Sequence, residues 1–214
     1  MANLFRLLLI AAITVSTLVA CSLWEERKPL LNKSLENTPL PSVPNVNPKT
    51  IDPENLPDAP YLQSPRQVVI KMLEMAKVKP NDVVYDLGSG DGRIVITAAQ
   101  KFGAKAIGIE IDPELIRESD RSTKAALNET PQIRNQIKFI KQDLFKADLR
   151  DATVVTLYLS EKANLRVRSE LLPKLKSGVR IVSYQYDLGD LPATRTEKIK
   201  VGDQEHMIYL WILD

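Results

Sequence analysis

A glycine-rich loop flanked by acids is the part of this sequence most suited to chemistry. It lies in DVVYDLGSGDGRI (82–94), where an apolar run ends at Asp86 and glycines follow on alternate positions, at Gly88, Gly90 and Gly92. Glycine loops after strands hold the pyrophosphate of dinucleotides, but they require GxGxxG, and Arg93 stands where the third glycine would fall. Asp86 and Asp91 would also repel a phosphate. The loop therefore favours a ligand that carries an ammonium group.

Two further acids lie where apolar segments end. Glu110 and Asp143 each close a predicted strand, and the carboxyl ends of strands in an open α/β sheet form the edge at which ligands bind. Structural alternatives stay open for several of these acids. Asp86 or Asp91 would cap the helix after the loop, and Asp143 would be an ordinary turn residue at a strand end. Three acids on one sheet edge nevertheless favour a binding site.

Strands and helices alternate along the chain and must position these residues. Five apolar segments are predicted strands: 82–87, 105–111, 137–143, 152–160 and 179–186. Helical periodicity predicts helices over 64–78, 93–102, 112–127 and 161–176. Ser64 is the predicted N-cap of the first helix, with Pro65 at its first position. Gly103 ends the second helix, and Asp112 caps the third and is therefore left out of the site.

Apolar strands that alternate with helices predict an α/β fold with a doubly wound, mostly parallel sheet covered on both faces. After Tyr186 the alternation breaks. Residues 194–214 have room for two strands joined by a turn at 201–204, but none for a crossover helix. The sequence therefore predicts a seven-stranded, Rossmann-like sheet that ends in an antiparallel hairpin.

The composition excludes some classes of protein. With 29 basic and 27 acidic side chains the formal net charge is +2, and no long basic run is present, so the footprint of a nucleic-acid binder is missing. One cysteine and one histidine cannot form a zinc cluster, and no metal site is predicted. The histidine, His206, falls in the predicted hairpin and is interpreted as a structural or exposed residue.

The first 21 residues have the layout of a secretory signal. Arg6 precedes an uncharged apolar run, and LVAC ends at Cys21 in a stretch that resembles a bacterial lipobox, in which the leader is cut before a cysteine that becomes lipidated. An uncut signal anchor is the alternative, although residues 7–20 are fewer than the roughly 20 that a spanning helix needs. The sequence therefore predicts a membrane-associated, lipid-anchored bacterial lipoprotein, with the side of the membrane left open.

A proline-rich segment separates this leader from the rest of the chain. Residues 22–60 hold eight of the fourteen prolines and no glycine, so they can neither continue a helix nor pair as a central strand. The segment is predicted to be a disordered tether, followed by a folded domain over 61–214.

The loop VYDLGSGDGR resembles motif I of the class I methyltransferases that use S-adenosylmethionine (SAM), a cofactor with an ammonium group, a sulfonium and no phosphate. The sheet of that class also ends in an antiparallel hairpin. The resemblance implies that the loop backbone wraps the methionine part of SAM, while Asp86 lies near its ammonium and Glu110 accepts the ribose hydroxyls. It also implies that Asp143 accepts from the adenine amino group, with Leu144 or Phe145 flanking the ring. The implied cofactor-binding residues are Asp86, Gly88, Ser89, Gly90, Gly92, Glu110, Asp143 and Leu144.

Most of residues 60–186 resembles the family that includes the mitochondrial lysine methyltransferases of the ATP synthase c-subunit and the adenine nucleotide translocase. The likeness rests on PYLQSPRQVVIKMLEMAKVKPNDVVYDLGSGDGRIVITAAQ, on AIGIEIDPELI and on DLFKADLRDATVVTLYLS. The resemblance implies methyl transfer to a protein lysine by in-line displacement. It also implies that Tyr61 folds over the cofactor, and that the residues ending the fourth strand face the acceptor: Tyr158, Leu159 and Ser160.

Several interpretations stay open from the sequence. The tyrosines at 61 and 158 are packing residues in the structural alternative, and no general base is identified. The leader and tether stand where the family has a mitochondrial membrane segment, which leaves the protein substrate, a membrane protein among the options, and the compartment open. The alternatives are a membrane-tethered SAM-binding module without activity and a small-molecule methyltransferase. A dinucleotide-dependent oxidoreductase is disfavoured by the glycine spacing.

Overall fold

The computed structural model describes residues 62–214, which form a seven-stranded sheet with helices on its two faces. The strands are β1 (Val83–Leu87), β2 (Lys105–Glu110), β3 (Ile137–Lys141), β4 (Val154–Leu157), β5 (Arg180–Tyr184), β6 (Arg195–Val201) and β7 (Gln204–Ile212). The α-helices of this part are α1 (Arg66–Met75), α2 (Arg93–Phe102), α3 (Pro113–Glu129) and α4 (Glu161–Glu170), with 3-10 turns at Pro131–Asn135, Leu144–Lys146 and Leu172–Lys174. The predicted fold class is confirmed.

The sheet has the strand order β3-β2-β1-β4-β5-β7-β6. β1 to β5 run parallel, whereas β7 lies antiparallel to both β5 and β6. The winding reverses between β1 and β4, and the crevice beyond the carboxyl ends of these two strands is the place at which open α/β sheets bind ligands. The predicted terminal hairpin is confirmed, with its turn at 202–203.

Two clusters of buried side chains form the core, one on each face of the sheet. The cluster beneath α1 and α2 includes Val84, Val154, Val182 and Ile208 from four different strands. The opposite face packs against α4. Because successive side chains of a strand alternate between faces, Asp86, Thr156 and Tyr184 share the first of these faces, which we call the α1/α2 face.

Local sequence signals explain where two helices begin and end. α2 stops at Gly103, whose φ of 67° is a left-handed value that residues other than glycine rarely adopt. α3 begins after Asp112, whose side chain accepts a hydrogen bond from the Glu114 N–H, and Pro113 occupies its first position. Both predictions are confirmed.

The predicted start of α1 is wrong. Pro65, rather than Ser64, is the N-cap residue, and its side chain makes no cap bond. Pro65 has an extended ψ of 138°, so helical geometry begins only at Arg66. Ser64 is instead buried, and its carbonyl accepts a hydrogen bond of 2.7 Å from Nη1 of Arg93. The segment before α1 is thereby tied to the start of α2.

Two predicted elements are shorter in the structure. α4 ends at Glu170 rather than at residue 176, since Pro173 has no N–H with which to continue a helix and lies instead in a 3-10 turn. β4 covers only four residues, so Tyr158 and the two residues after it form a loop. Ser160 ends that loop as the N-cap of α4, and its Oγ accepts from the Ala163 N–H.

Residues 1–61 lie outside the part of the chain that the structure describes. The predicted signal with Cys21, the predicted tether over 22–60 and Tyr61 all fall there, and what the sequence predicts of them stays a prediction. Over 62–214, no helix combines the length and the apolar character needed to cross a membrane.

Candidate cofactor and acceptor site

The loop that joins β1 to α2 requires glycine at the positions where the sequence has it. Gly88, Gly90 and Gly92 have φ values of 75°, 54° and 81°, in the left-handed region that favours glycine. A Cβ atom on Gly88 would lie 2.7 Å from the side chain of Leu159, and one on Gly92 would lie 2.5 Å from the ring of Phe139. Carbon atoms do not normally approach so closely. The loop therefore packs directly against the segment after β4 and against β3.

Hydrogen bonds hold this loop against the end of β2. The N–H groups of Gly88 and Ser89 both donate to the carbonyl of Ile109, at 2.9 and 3.0 Å. The Gly90 N–H donates to Oε2 of Glu110 at 2.9 Å. The predicted loop and the predicted acid of the second strand are therefore in direct contact.

The Glu110 carboxylate is buried and receives three backbone donors. Besides the loop bond, its Oε1 accepts from the N–H groups of Ile111 at 2.8 Å and Asp112 at 3.0 Å. These bonds fix the carboxylate at the end of β2. A carboxylate has about four acceptor positions, so it retains capacity for a hydroxyl of a ligand.

The Asp86 carboxylate is almost fully buried, with 2% exposure, at the end of β1. Thr156, its partner in the β1–β4 register, donates a hydrogen bond of 2.6 Å from Oγ1. Burial raises the pKa of Asp86 to about 7; the Thr156 bond opposes this rise, and the negative charges of Glu110 and Asp91 add to it. A buried carboxylate in this environment is stabilised by a cation.

Asp91, in contrast to Asp86, is paired with a basic side chain. It accepts a hydrogen bond of 3.2 Å from the N–H of Arg93, and its Oδ2 lies 2.5 Å from Nη2 of the Arg93 guanidinium. The structural alternative for Asp91, a role at the start of α2, is therefore observed. Asp86 lies on the sheet instead, with Thr156 as its partner.

Asp143 follows β3 and begins a short turn. Its Oδ1 accepts a hydrogen bond of 3.0 Å from the Phe145 N–H and thereby caps the turn Leu144–Lys146. The structural alternative is observed here too. Leu144 and Phe145 are partly buried, and the Arg166 guanidinium lies 3.5 Å from the centroid of the Phe145 ring. Of the two residues predicted to flank the adenine ring, Phe145 thus already has one face covered.

Three polar aromatic side chains continue this polar row beyond Asp86. The ring centroids of Tyr158 and Tyr184 lie 4.2 Å apart, and the Tyr184 hydroxyl and His206 Nδ1 form a hydrogen bond of 2.6 Å. His206 is buried rather than exposed. A signal for this was present in the sequence: His206 alternates with the apolar Ile208 in the last strand, so both face the core.

The three residues predicted to face the acceptor have different surroundings. Tyr158 is partly buried against Tyr184. Leu159 is buried and covers Gly88, whereas Ser160 caps α4. The structure therefore brings Tyr158 and Leu159 to the edge that holds the glycine loop, and gives Ser160 a helix-capping role.

A residue that the sequence did not reveal holds the turn after β5. Asn164 of α4 is fully buried, and its Nδ2 lies within 3.1 Å of the Ser183 hydroxyl and the carbonyls of Tyr186 and Asp187. Gln185 in this turn has a φ of 71°, a strained value that persists only where the surroundings enforce it. The available signal was an asparagine on the apolar stripe of a predicted helix.

The charge around the loop suits SAM better than a dinucleotide. Asp86 and Glu110 are buried beside the loop, and the basic side chain that follows it, Arg93, is already paired with Asp91. An ammonium group and ribose hydroxyls match these carboxylates, whereas a pyrophosphate would be repelled. With β7 inserted antiparallel between β5 and β6, this arrangement defines a class I SAM-dependent methyltransferase.

The chain belongs to the family described as the ANTKMT methyltransferase domain, which matches residues 86–195. The matched stretch runs from Asp86 to the first residue of β6 and includes the glycine loop and the aromatic residues that follow β4 and end β5. The predicted family, methyltransferase activity and SAM dependence are thereby confirmed.

Curated relatives extend this match. The protein-lysine N-methyltransferase of Saccharolobus islandicus is 38% identical over 159 residues, which cover 74% of this chain and 96% of that protein. The adenine nucleotide translocase lysine N-methyltransferase of Mus musculus is 30% identical over 60% of this chain and 54% of its own length. The lysine N-methyltransferase of the human ATP synthase c-subunit is 28% identical, over 59% and 52%. The chain thus spans about half the length of these two animal relatives.

A solved structure supports the fold and the cofactor class. The RNA methyltransferase from Salinibacter ruber, crystallised with S-adenosyl-L-homocysteine, is 41% identical and has a TM-score of 0.64, covering 71% of this chain and 94% of that one. Two relatives that are both matched over nearly their full lengths therefore carry names with different acceptors, a protein lysine and an RNA.

Proposed function

We propose that this chain transfers a methyl group from SAM to the side-chain amine of a lysine in a protein. The observation that carries the proposal is the similarity to the Saccharolobus islandicus protein-lysine N-methyltransferase, because the chain covers 96% of that protein at 38% identity. The names of the two animal relatives support the same class of acceptor.

We assign the cofactor to the crevice beyond β1, β2 and β3. Asp86 would receive the ammonium of SAM, directly or through water, since a cation offsets the cost of its buried charge. Glu110 would accept the ribose hydroxyls, and Asp143 the adenine amino group, with Leu144 against the ring. Ser89 would contribute its backbone alone, because its Oγ lies against Gly108, 2.6 Å from where a Cβ would be. The proposed contacts are Asp86, Gly88, Ser89, Gly90, Gly92, Glu110, Asp143 and Leu144.

The reaction asks little covalent chemistry of the protein. SAM, when bound, supplies an electrophilic methyl group on its sulfonium. The protein must align a neutral amine with this group and keep water away, and alignment and desolvation account for most of the acceleration in such reactions. Leu159, which is buried against the glycine loop, would exclude water, and Tyr158 would face the amine. Ser160 would act mainly by fixing the start of α4.

An RNA acceptor is the second candidate, because the Salinibacter ruber protein carries the name RNA methyltransferase at 41% identity. Proteins that bind RNA neutralise phosphates with clustered lysine and arginine side chains. The formal net charge of this chain is only +2. The charge balance therefore favours a protein acceptor.

Transfer of labelled methyl groups tests the proposal. The full chain is incubated with SAM carrying a tritiated methyl group, together with histones, detergent-solubilised membrane proteins and ribosomal RNA in separate reactions. We expect label that proteinase releases and ribonuclease does not. Label in the RNA alone would contradict the proposal in favour of the second candidate. Calorimetric SAM binding without label in any polymer would contradict it in favour of a small-molecule enzyme or an inactive SAM-binding module.

We also propose, from the sequence of residues 1–21, that the domain is anchored to a membrane by a lipid on Cys21. A membrane protein would then be the nearest substrate, and the substrates named for the two animal relatives are of interest in this respect. Labelled palmitate should be incorporated into the wild-type chain and not into Cys21→Ser. Incorporation that persists in Cys21→Ser would contradict lipidation at this residue, and a reporter fused to the carboxyl terminus would show which side of the membrane the domain occupies.

A further inference from the structure

Methyl transfer to lysine requires the removal of a proton. An ordinary lysine side chain has a pKa of about 10.4, so only on the order of one amine in a thousand is neutral at pH 7. The nucleophile must be the neutral form, because the ammonium has no lone pair. A group near the acceptor that takes this proton would therefore accelerate the reaction, typically by about 100-fold or more.

Three side chains at the end of the sheet are joined in one buried row. Tyr158 follows β4, Tyr184 ends the neighbouring β5, and their ring centroids lie 4.2 Å apart at an angle of 40°. The Tyr184 hydroxyl lies 2.6 Å from Nδ1 of His206, which β7 contributes from the next position in the sheet. The row thus runs from the segment beside the glycine loop to an imidazole in the interior.

The inner end of the row is dry. Tyr184 is 4% exposed and His206 is 5% exposed. His206 Nε2 is buried and has no hydrogen-bond partner among the residues of 62–214. In a neutral imidazole one ring nitrogen accepts and the other carries the proton. When Nε2 carries it, Nδ1 accepts from Tyr184.

The phenols are suited to pass a proton on rather than to ionise. Burial raises the pKa of Tyr184 to about 12, with the neighbouring Tyr158 adding to the rise. Burial also raises the pKa of Tyr158, while a hydrogen bond with the Tyr184 hydroxyl opposes the rise. Both groups are therefore neutral at physiological pH, so each can accept one proton as it releases another.

The charged side chains around His206 are paired with one another. From α1, Lys71 places Nζ 2.8 Å from Oε1 of Glu197 in β6. Arg195, also in β6, lies 3.3 Å from Oε2 of the same carboxylate. On β5 and β4 the titratable neighbours are the two tyrosines, and Asp86 lies further along the same face. The local charges thus largely offset each other, which leaves the tyrosine as the group that bonds to the imidazole.

We propose that Tyr158, Tyr184 and His206 form a proton relay for the acceptor lysine, an inference that rests on the proposed function. The lysine ammonium gives a proton to the Tyr158 oxygen as the Tyr158 proton passes to the Tyr184 oxygen and the Tyr184 proton passes to Nδ1 of His206. The neutral amine and an imidazolium result, so one positive charge has moved and no electrons are exchanged. After methyl transfer the proton returns to water along the same row.

The test compares the pH dependence of lysine methylation by the full-length wild-type chain with that of Tyr158→Phe, Tyr184→Phe and His206→Gln, using poly-lysine as the acceptor. We expect each variant to be about 100-fold slower at pH 7. The defect should shrink to within about threefold near pH 10, where the free amine is abundant. Tyr209→Phe is the matched control, since it removes a hydroxyl from the opposite face of β7 and should behave as wild type.

A second measurement does not depend on turnover. The chain has a single histidine, so the imidazole nitrogen resonances of the 15N-labelled protein belong to His206 alone. We expect the tautomer with the proton on Nε2 in the wild type, and a shift of the Nδ1 resonance in Tyr184→Phe. A proton found on Nδ1 would overturn the relay.

The outcomes separate the relay from the function on which it rests. Absence of methyl-lysine with the wild type at every pH would contradict the proposed function. Methylation by the wild type with variants that are equally active, or that are equally impaired at pH 7 and pH 10 while calorimetric SAM affinity and melting temperature are unchanged, would overturn the relay.

Discussion

Thr156 Oγ1 lies 2.6 Å from the buried carboxylate of Asp86, at the point where β1 and β4 pair. The hydroxyl is the hydrogen-bond donor to an acid whose surroundings are otherwise unfavourable to charge, because burial, Glu110 and Asp91 all raise its pKa. Such an arrangement costs stability in the absence of a cation. We interpret Asp86 as a residue retained for the ammonium of the cofactor rather than for the fold.

Replacing Asp86 with asparagine should weaken SAM binding by about 10- to 100-fold, because the charge that matches the ammonium is lost. In the wild type the affinity should also fall as the pH drops below about 7, where Asp86 becomes protonated. Calorimetric titration between pH 6 and pH 8 measures both effects. Asp148→Asn, at an exposed acid on the loop before β4, is the control and should bind as the wild type does. Unchanged affinity in Asp86→Asn would refute the assignment.

The same substitution should stabilise the chain in the absence of SAM. A carboxyl whose pKa is raised on folding holds its proton more tightly in the folded state, so its contribution to stability declines as the pH rises from about 4 to about 7. Asp86→Asn removes this penalty, and we expect a gain on the order of 2–4 kcal/mol at pH 8 and little change at pH 4. Urea unfolding at the two pH values measures the difference. A loss of stability at pH 8 would show that the charge is compensated.

Glu110→Gln should loosen the glycine loop and weaken SAM binding. The glutamine amide cannot accept from all three backbone N–H groups that the carboxylate serves, so at least one donor is left unpaired, at a cost of about 1–3 kcal/mol. Hydrogen exchange of the Gly90 amide should accelerate in the variant. Exchange as slow as in the wild type would mean that another group holds the loop.

Gly88→Ala should inactivate the enzyme, because the new Cβ would lie 2.7 Å from the buried side chain of Leu159. Gly202→Ala is the matched control: φ is also positive, at 61°, but nothing lies within 4 Å of the added atom. The control should lose only the roughly 1 kcal/mol of left-handed strain and keep its activity. Equal losses of methyl transfer in the two variants would show that backbone strain, and not the contact with Leu159, is decisive.

Asn164→Ala should destabilise the turn after β5. It leaves the carbonyls of Tyr186 and Asp187 without their side-chain donor, at a cost of about 2–4 kcal/mol. Asn128→Ala, at an exposed asparagine of α3, should change stability by less than about 0.5 kcal/mol. Denaturant unfolding compares the two. A similar small change in both would mean that the strained turn at Gln185 is held by other contacts.

The strand and helix pattern was predictable because strong local signals agree with the tertiary fold. Gly103 ends α2 and Asp112 starts α3, as each residue's backbone and side-chain preferences require. The start of α1 was not predictable from the same rules. Ser64 has the right type for a cap, but it is drawn into the interior by the bond between its carbonyl and Arg93, which no local pattern encodes.

The acids of the site were found from the sequence because each ends a strand. Asp86 and Glu110 are brought to the same loop by the parallel pairing of β1 and β2. The bond between Tyr184 and His206 depends on the antiparallel pairing of β7 with β5, and a pairing between strands is not visible in a single sequence. The polar row beyond Asp86 was therefore missed, although the alternation in β7 marks His206 as inward-facing.

Amino-acid analysis of the methylated product tests the central claim most directly. The full chain and its Asp86→Asn variant are incubated with tritiated SAM and a detergent-solubilised membrane protein extract, and the protein is then hydrolysed in acid. We predict that label co-elutes with methylated lysine in the wild-type reaction and falls by about tenfold or more in the variant at sub-saturating SAM. Label absent from methylated lysine in the wild-type reaction, or equal in the two reactions, would contradict the account.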